Sequence, residues 1–258
     1  MKWMIDEQKV CTLTLNDLPC NEIGLTSLEN LERFLKEIKG KEIRALVIHS
    51  SLDTGFCAGA HLRELYTNMQ KMKVAKQTKE IRKFLDRIHN AFNKLDTLPF
   101  TTIGVINGVC FGGGFELALV CDVLIAESSA RFCFPELRLG LIPGFGGIPR
   151  LKRDIGNGAI RDLLFTGRSF NAQKALSLGL VSQVVPEKKG LDIAKRMAQQ
   201  ATKFDAEVFE RAKKFIKPLP KKQLDQEKEI FIKLFQNPRV QQALKKFVTD
   251  ESQQPYLP

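Results

Sequence analysis

Hydrophobic and polar residues follow two rhythms along this chain, one typical of strands and the other of helices. Residues 10–15 alternate with period two, and residues 45–49 form the continuous apolar run of a strand that is covered on both faces. Between these strands, apolar residues recur at helical spacing over 28–38, and Gly40 is placed to end that helix. The opening of the chain therefore predicts strand, helix, strand.

The alternation continues to about residue 150. An apolar stripe at helical spacing predicts helix within 63–98, and three consecutive glycines at 112–114 lead into a further helix. Buried strands are predicted at 101–106, 123–126 and 131–134. Because strands and helices alternate throughout, the pattern favours an α/β fold.

Helices dominate the rest of the chain. Helical segments are predicted at 158–166, 171–178, 191–204, 224–235 and 238–248, with one short strand at 181–185. The composition shifts near 195–205, where strand-like runs give way to charged amphipathic helices. We therefore expect a strand-bearing core over 1–198 and a helical region over 199–258.

The composition is that of a globular protein. Of the 258 residues, 43% are hydrophobic and 27% are charged, enough to bury a substantial core. The chain lacks an apolar run of about 18 residues and the residue order of a secretory signal. We interpret the six cysteines as reduced, because they form no short-spaced pairs: Cys11, Cys20, Cys57, Cys110, Cys121 and Cys133. The expectation is a soluble cytoplasmic protein without a membrane segment.

The chain is strongly basic. Forty Lys and Arg residues against 29 Asp and Glu residues give a formal charge of +11. This surplus favours anionic partners such as nucleic acid, a membrane surface or a small ligand that carries phosphates. A solvated surface explains the same surplus, so charge alone does not choose among them.

The chemistry is narrowed by the motifs that the chain lacks. No dinucleotide-binding glycine motif, P-loop, serine elbow or zinc-protease motif is present. The three histidines, His49, His61 and His89, do not stand at metal-ligand spacing with cysteines. Carboxylates remain for proton transfer, and backbone amides remain for electrostatic stabilisation.

Two loops of small residues, at 55–62 and 107–118, each follow a predicted strand and precede a predicted helix. The first amides of a helix have no intrahelical acceptor and carry the positive end of its dipole. A single loop of this kind is explained by a tight turn that needs small residues. Two of them could each supply a donor to an oxyanion hole, where one donor is typically worth roughly 3–4 kcal/mol of barrier.

Two glutamates stand beside these motifs. Glu116 falls in the first helical turn after the glycines, and Glu136 follows twenty residues later in a turn after a strand. Taken singly, each is a candidate surface carboxylate, and Arg131 or Arg138 could pair with Glu136. Placed together near an oxyanion hole, they could divide the duties of general base and general acid.

The stretches that carry these residues closely resemble the crotonase (enoyl-CoA hydratase/isomerase) superfamily. The order and spacing of the matches hold from about residue 10 to residue 250. The matching stretches lie at 56–60, 107–118, 121–122, 134–140, 142–147, 150–151, 164–167 and 175–181. There are two departures: His61 stands where the family commonly has Asp, and Pro149 replaces a polar residue near the pocket.

The resemblance implies an α/β, crotonase-like spiral of ββα turns, with a helical C-terminal region that builds trimers, commonly paired into hexamers. It also implies an acyl-CoA thioester substrate whose carbonyl oxygen lies between the backbone amides of Ala60 and Gly113. No metal or separate cofactor is expected, since CoA is part of the substrate. Arg63 and the basic segment 211–222 are candidate contacts for its phosphates.

Hydratases of the superfamily carry glutamates at the positions of Glu116 and Glu136. The resemblance implies that Glu116 activates a water molecule and that Glu136 supplies a proton. Further substrate contacts are expected at Ala58, His61, Leu62, Gly112 and Gly144.

Three functional hypotheses follow. The first is an enoyl-CoA hydratase, which adds water to a trans-2-enoyl-CoA. The second is an enoyl-CoA delta-isomerase or another crotonase-type acyl-CoA enzyme. The third, from a different class, is a nucleic-acid-binding protein on the same scaffold, which the basic segments disfavour because few aromatic residues are interleaved among them.

Overall fold

Successive strands along the chain divide between two sheets. The computed structural model describes residues 1–249. The strands are β1 (Lys2–Ile5), β2 (Val10–Leu15), β3 (Ala45–Ser50), β4 (Gly55–Cys57), β5 (Thr101–Ile106), β6 (Val109–Phe111), β7 (Val123–Glu127), β8 (Arg131–Cys133), β9 (Phe170–Asn171) and β10 (Gln183–Val185). The larger sheet has the order β1-β2-β3-β5-β7-β10, and the smaller has the order β4-β6-β8-β9. Neighbouring strands are parallel except for β1 with β2 and β8 with β9.

Helical segments follow the strand pairs. The helices are α1 (Leu25–Glu37), α2 (Leu62–Gln70), α3 (Val74–Asp96), α4 (Gly113–Ala118), α5 (Gly147–Thr166), α6 (Ala172–Ser177), α7 (Gly190–Ala201), α8 (Ala206–Ile216), α9 (Lys221–Phe235) and α10 (Pro238–Thr249), with a 3₁₀ helix at Glu136–Leu139. Three strand pairs each place their first strand in the larger sheet and their second strand in the smaller sheet, and a helical segment follows each pair: β3–β4, β5–β6 and β7–β8. The expected α/β spiral of ββα turns is therefore confirmed.

Strand β3 shows why the continuous apolar run forms a covered strand. Leu46 and Ile48 pack into the larger core, whereas Ala45 and Val47 point to the opposite face of the sheet. There they meet small residues of α7, and all four side chains are fully buried. Because successive side chains alternate between faces, a strand buried on both sides has no polar positions to spare.

Two predicted helices have different bounds in the structure. The 63–98 segment is divided into α2 and α3, and the helix expected at 158–166 begins at Gly147, in α5, with a kink at Gly156, where φ is +81°. The hydrophobic pattern did not predict the first part of α5, because this part buries a charged residue, Arg150. The proposed boundary between 198 and 199 falls inside α7, and the division into two regions stays a prediction.

The cysteines and helices bear on two expectations about the chain. All six cysteines are free thiols, five of them buried and Cys20 partly exposed. Among residues 1–249, none of the helices combines the length and the apolar character needed to cross a bilayer.

A buried carboxylate, Asp96 at the end of α3, joins two cations of α5 and one that follows α8. Its side chain is 1% exposed and contacts Arg150 at 2.8 Å, Arg153 at 3.1 Å and Lys217 at 2.8 Å. Burial alone would raise the pKa of Asp96, but Lys217, Arg150 and Arg153 hold it below its ordinary value. This cluster ties α3, α5 and the end of α8 together.

A second carboxylate extends the network. Asp122 contacts Lys213 Nζ at 2.7 Å and Lys217 Nζ at 3.0 Å, and both lysine side chains are nearly buried. These two lysines belong to the basic segment that was a candidate contact for phosphates. Their charges are instead neutralised inside the protein, which weakens both the CoA-phosphate and the nucleic-acid interpretations of that segment.

Replacing Asp96 with Asn should destabilise the protein by about 3–5 kcal/mol at pH 7, because buried cations lose their counter-charge. Urea unfolding measures this difference. The stabilisation from a carboxyl with a lowered pKa is present above its unfolded-state pKa of about 3.9 and is lost as the pH falls through its folded-state pKa, so the difference should shrink in acid.

Asp53→Asn is the matched control, since Asp53 is 89% exposed and faces Lys188 at 3.4 Å. It should change stability by less than about 0.5 kcal/mol. Equal effects from the two substitutions would contradict a structural role for the Asp96 cluster.

Candidate active site

Two backbone segments lie side by side at one end of the small sheet. The amide of Ile23 donates to Gly59 O at 2.7 Å, and the amide of His61 donates to Ile23 O at 3.0 Å, which makes a parallel bridge around Ala60. The amide of Ala60 therefore points away from this partner. Gly113 opens α4, so its amide has no intrahelical acceptor. A Cβ atom placed on Gly113 would lie 3.3 Å from Ala60 N.

The glycines in the 112–114 run are there for space as well as for backbone conformation. Gly112 has φ +48°, and a Cβ atom there would lie 2.6 Å from Oε1 of Glu136. A Cβ atom on Gly113 would meet the ring of Phe145 at 2.7 Å, and one on Gly114 would meet Cys57 O at 2.2 Å. Bare backbone thus lets the start of α4 approach the neighbouring loop and a carboxyl group.

Glu116 is buried and held by backbone amides. It is 1% exposed, and its Oε1 accepts hydrogen bonds from the amides of Phe145 at 2.7 Å and Gly147 at 2.8 Å. Burial raises the pKa of Glu116 to about 7, against the lowering effect of these amides and of Arg150. The carboxyl is therefore fixed in place and exchanges its proton near neutral pH.

Glu136 begins the 3₁₀ helix and presents an unpartnered oxygen. Its Oε2 is buried and has no hydrogen-bond partner among residues 1–249. Burial, and after it the charge of Glu116, raises the pKa of Glu136 well above its ordinary value. Two neighbouring carboxyls in this setting share protons, so one can be an acid while the other is a base.

Both glutamates, together with Ala60 and Gly113, line one cavity. Its remaining wall is apolar and comes from α2, α3, the turn before α5, and the two last helices. The apolar residues of this wall are Leu62, Leu65, Tyr66, Met69, Ile81, Phe84, Leu85, Leu139, Leu141, Phe145, Phe231, Phe235 and Leu244. An apolar pocket with a few convergent polar groups is the usual form of a small-molecule site.

The structure distributes the other predicted contacts as follows. Ala58, Leu62, Gly112 and Gly144 lie in the lining of this cavity. His61 lies outside it and caps α2, with its Nδ1 accepting a hydrogen bond from the amide of Glu64 at 3.3 Å. The histidine therefore has a local structural contact at the position where the family commonly carries Asp.

Arg63 is engaged within the chain. Its guanidinium donates to Val248 O at 2.7 Å and stands 5.9 Å from the centre of the Phe247 ring. These contacts fasten α2 to α10, so the side chain expected at CoA phosphates also has a structural role.

The 144–148 turn runs into the first residues of α5 and carries the amides that hold Glu116. Sequence reasoning expected a substrate contact at Gly144 but missed this role of the turn. Two buried side chains support the turn from outside. Arg150 Nη1 donates to Phe145 O at 3.1 Å and to Gly146 O at 3.2 Å, and His89 Nε2 donates to Gly144 O at 2.8 Å. Burial lowers the pKa of His89 to about 4, so its ring is neutral at pH 7. A usable signal was a polar residue within an apolar stripe, such as His89 beside 81–92.

Within residues 1–249, no three His, Cys, Asp or Glu side chains are grouped in a way that could hold a metal ion. The expectation that the reaction uses no metal and no separate cofactor stays a prediction.

Comparison with known proteins agrees with this geometry. A family model described as enoyl-CoA hydratase/isomerase matches residues 6–256. The chain belongs to the enoyl-CoA hydratase/isomerase family. It is 36% identical over 196 residues to a short-chain-enoyl-CoA hydratase of Clostridium acetobutylicum, covering 75% of this chain and 72% of that protein.

A second relative of this family member is the mitochondrial methylglutaconyl-CoA hydratase of Mus musculus, 35% identical over 179 residues. The match covers 69% of this chain and 54% of the mouse protein, so the chain spans about half the length of that relative. The two relatives act on different acyl groups by name, so likeness to them leaves the substrate of this protein open.

Solved structures of the family share the fold. The enoyl-CoA hydratase of Bacillus halodurans superimposes with a TM-score of 0.84 at 25% identity, over 95% of this chain and 98% of that one. The enoyl-CoA hydratase of Bacillus anthracis gives a TM-score of 0.75 at 29% identity, over 96% of each chain.

Replacing Glu116 with Gln should stabilise this enzyme at alkaline pH. A buried carboxyl whose pKa is raised from 4.5 to about 7 supports the fold below its unfolded-state pKa and loses that contribution as the pH rises to 7. Glutamine keeps an acceptor for both amides and never ionises. We expect urea unfolding to show a gain of about 3 kcal/mol at pH 8 and less than about 1 kcal/mol at pH 5.

The matched control is Glu187→Gln on the exposed surface, which should show no pH-dependent gain. A gain for Glu116→Gln that is the same at both pH values would mean that ionisation of this carboxyl does not strain the fold.

Proposed function

We propose that this protein is an enoyl-CoA hydratase that adds water across the double bond of a trans-2-enoyl-CoA. One observation carries the proposal: Glu136 Oε2 is a buried carboxyl oxygen without a hydrogen-bond partner among the described residues, and Glu136 and Glu116 line the same cavity. Such an oxygen is costly to bury unless a ligand or a water molecule engages it. The names of the relatives support the same reaction.

The reaction divides among four groups. Glu116, as a carboxylate, takes a proton from water while the water oxygen bonds to Cβ of the substrate. The π electrons move toward the thioester carbonyl, and the amides of Ala60 and Gly113 stabilise the resulting enolate oxygen. Glu136 then donates its proton to Cα, which restores the carbonyl and completes the addition of one water molecule. The proton on Glu116 returns to Glu136 before the next turnover.

The raised pKa values of the two carboxyls support this division. Burial raises the pKa of Glu116 to about 7, so this carboxyl is half ionised at neutral pH. Burial, and after it the charge of Glu116, raises the pKa of Glu136, so the two carboxyls resist being ionised together and one can act as the acid while the other acts as the base. The two groups titrate as a coupled pair, so a measured pH profile will report on the pair.

Replacing Glu116 or Glu136 with Gln should reduce kcat for hydration by about 10²–10⁴-fold, because each removes a proton-transfer step. Loss of absorbance of the conjugated thioester measures hydration of crotonyl-CoA. Binding of butyryl-CoA, a saturated analogue, should change less than about threefold. Hydration at the wild-type rate in either variant would refute the assignment.

Isomerisation is the competing reaction on this fold, since one carboxyl is enough to move a proton between two carbons. The same absorbance reports it in the opposite sense: a 3-enoyl-CoA gains conjugation when it is isomerised. A wild-type enzyme that conjugates 3-enoyl substrates but leaves 2-enoyl substrates unhydrated would replace hydratase with isomerase.

We further infer that the acyl group is short. The cavity beside the carboxyls has a volume of about 60 Å³, which is room for only a few water-sized groups. Phe231 closes it on one side, and its ring would lie 2.5 Å from a Cβ atom placed on Gly144. The name of the Clostridium relative agrees with a short chain.

Wild-type enzyme should prefer four-carbon over ten-carbon 2-enoyl-CoA, and Phe231→Ala should narrow this preference by about tenfold because the smaller side chain lengthens the cavity. The ratio of kcat/KM for the two substrates measures it. Phe165→Ala is the control, since Phe165 is 79% exposed and is not part of the lining. A preference for the longer substrate in wild type would overturn the inference.

Self-association is proposed through the helical C-terminal region. On α8, Phe215 is 89% exposed and Ile216 is 75% exposed, which is unusual for large apolar side chains unless a partner covers them. A trimer or a hexamer and a cytoplasmic location stay predictions.

A further inference from the structure

A third carboxyl, Glu227, is buried beside the site and has no part in the reaction written above. It lies on the inner face of α9 and is 4% exposed. Its Oε2 accepts a hydrogen bond from the amide of Ile148 at 2.8 Å, while its Oε1 is buried with no hydrogen-bond partner among residues 1–249. An acidic side chain in this position is expensive to bury and calls for a reason.

The amide that Glu227 holds belongs to the 144–148 turn. Adjacent amides of this turn face different carboxyls: Gly147 donates to Glu116, and Ile148 donates to Glu227. The peptide unit between them therefore links the two side chains. If the Ile148 amide lost its acceptor, the Gly147 amide would no longer be fixed at 2.8 Å from Glu116.

The other supports of the turn act on different atoms. His89 and Arg150 both donate hydrogen bonds to backbone carbonyls, at Gly144, Phe145 and Gly146. Neither accepts an N–H of the turn, so neither can replace the contact that Glu227 makes. Side chains from α3, α5 and α9 therefore hold the turn. Of these helices, α9 supplies the acceptor for the last amide of the turn, that of Ile148.

Resting on the hydration proposed above, we propose that Glu227 is a positioning residue, which holds the 144–148 turn in the geometry that orients the Glu116 carboxylate. Glu227 itself does not line the cavity and touches no reacting atom.

The protonation state of Glu227 fits this role. Burial, and after it the carboxyl of Glu116, raises the pKa of Glu227 well above its ordinary value, while Ile148 and Arg150 oppose the rise. Two neighbouring carboxyls resist being ionised together, so Glu227 keeps its proton while Glu116 works as a base. Glutamine is consequently a close mimic of its working state, whereas methionine has similar length and no acceptor.

The experiment compares Glu227→Gln with Glu227→Met, using Glu229→Gln and Glu229→Met as controls. Glu229 is on the exposed side of the same helix, where it pairs with Arg82. We expect Glu227→Met to lower kcat for crotonyl-CoA hydration at least tenfold with KM changed less than twofold. Glu227→Gln should retain at least half of the wild-type kcat, and both control variants should match wild type.

Hydrogen–deuterium exchange tests the same contact without turnover. The amides of Phe145 and Gly147 should exchange at least tenfold faster in Glu227→Met than in wild type or Glu227→Gln. If Glu227→Met does not fold, Glu227→Asp takes its place, since a side chain shorter by one methylene withdraws the acceptor from Ile148 and keeps the carboxyl.

The outcomes separate the two proposals. A wild-type enzyme that fails to hydrate refutes the proposed function, and the exchange rates alone then decide whether Glu227 holds the turn. If wild type hydrates, unchanged kcat or unchanged exchange in the loss variant overturns the positioning role, as does an equal loss of kcat in Glu227→Gln and Glu227→Met.

Discussion

A carboxylate removed from water needs hydrogen-bond donors that stay in place, and much of the site follows from meeting that need for Glu116. The donors are two amides of the 144–148 turn, at 2.7 Å and 2.8 Å. A turn lacks the regular backbone hydrogen bonds of a helix or a sheet, so side chains from three helices hold this turn in place. The buried Arg150 then needs its own counter-charge, which Asp96 supplies at 2.8 Å. The geometry of the candidate site and the interior ion network are therefore one connected structure.

Burying carboxyl groups in this way works against stability. Glu116, Glu136 and Glu227 all have raised pKa values because burial penalises their charged forms. Strain of this kind persists only where the surrounding fold is stable enough to impose it. Here the fully covered parallel strands and the fixed ion cluster provide that stability, while the cavity holds groups whose proton affinities suit a reaction at neutral pH.

Much of the fold could be predicted from residue patterns, because short local runs of the sequence mark strand β3 and the start of helix α4. The apolar run at 45–49 is typical of a strand that is covered on both faces. The glycine run at 112–114 marks a turn where two backbone segments lie close together. The motif resemblance singled out Glu116 and Glu136, and the structure puts both at one cavity.

What escaped prediction depends on contacts between distant segments. Arg150 and Glu227 look like surface charges in the sequence, since burial of a charge depends on partners that lie far away along the chain. The substrate contact at His61 stays a prediction, whereas its bond to the amide of Glu64, which caps α2, was not predicted. Lys217 belongs to a segment that was a candidate contact for phosphates, but the structure pairs it with Asp96 and Asp122.

The candidate-site cavity joins residues that are far apart along the chain, and this has a consequence for the protein while it is being synthesised. Ala58 and Leu62 are synthesised well before Phe231, Phe235 and Leu244. A growing chain can therefore complete its sheets while one apolar wall of the cavity is still missing. During that interval the nascent protein exposes the apolar lining of the incomplete cavity. We expect chaperones and neighbouring chains to contact this surface in particular.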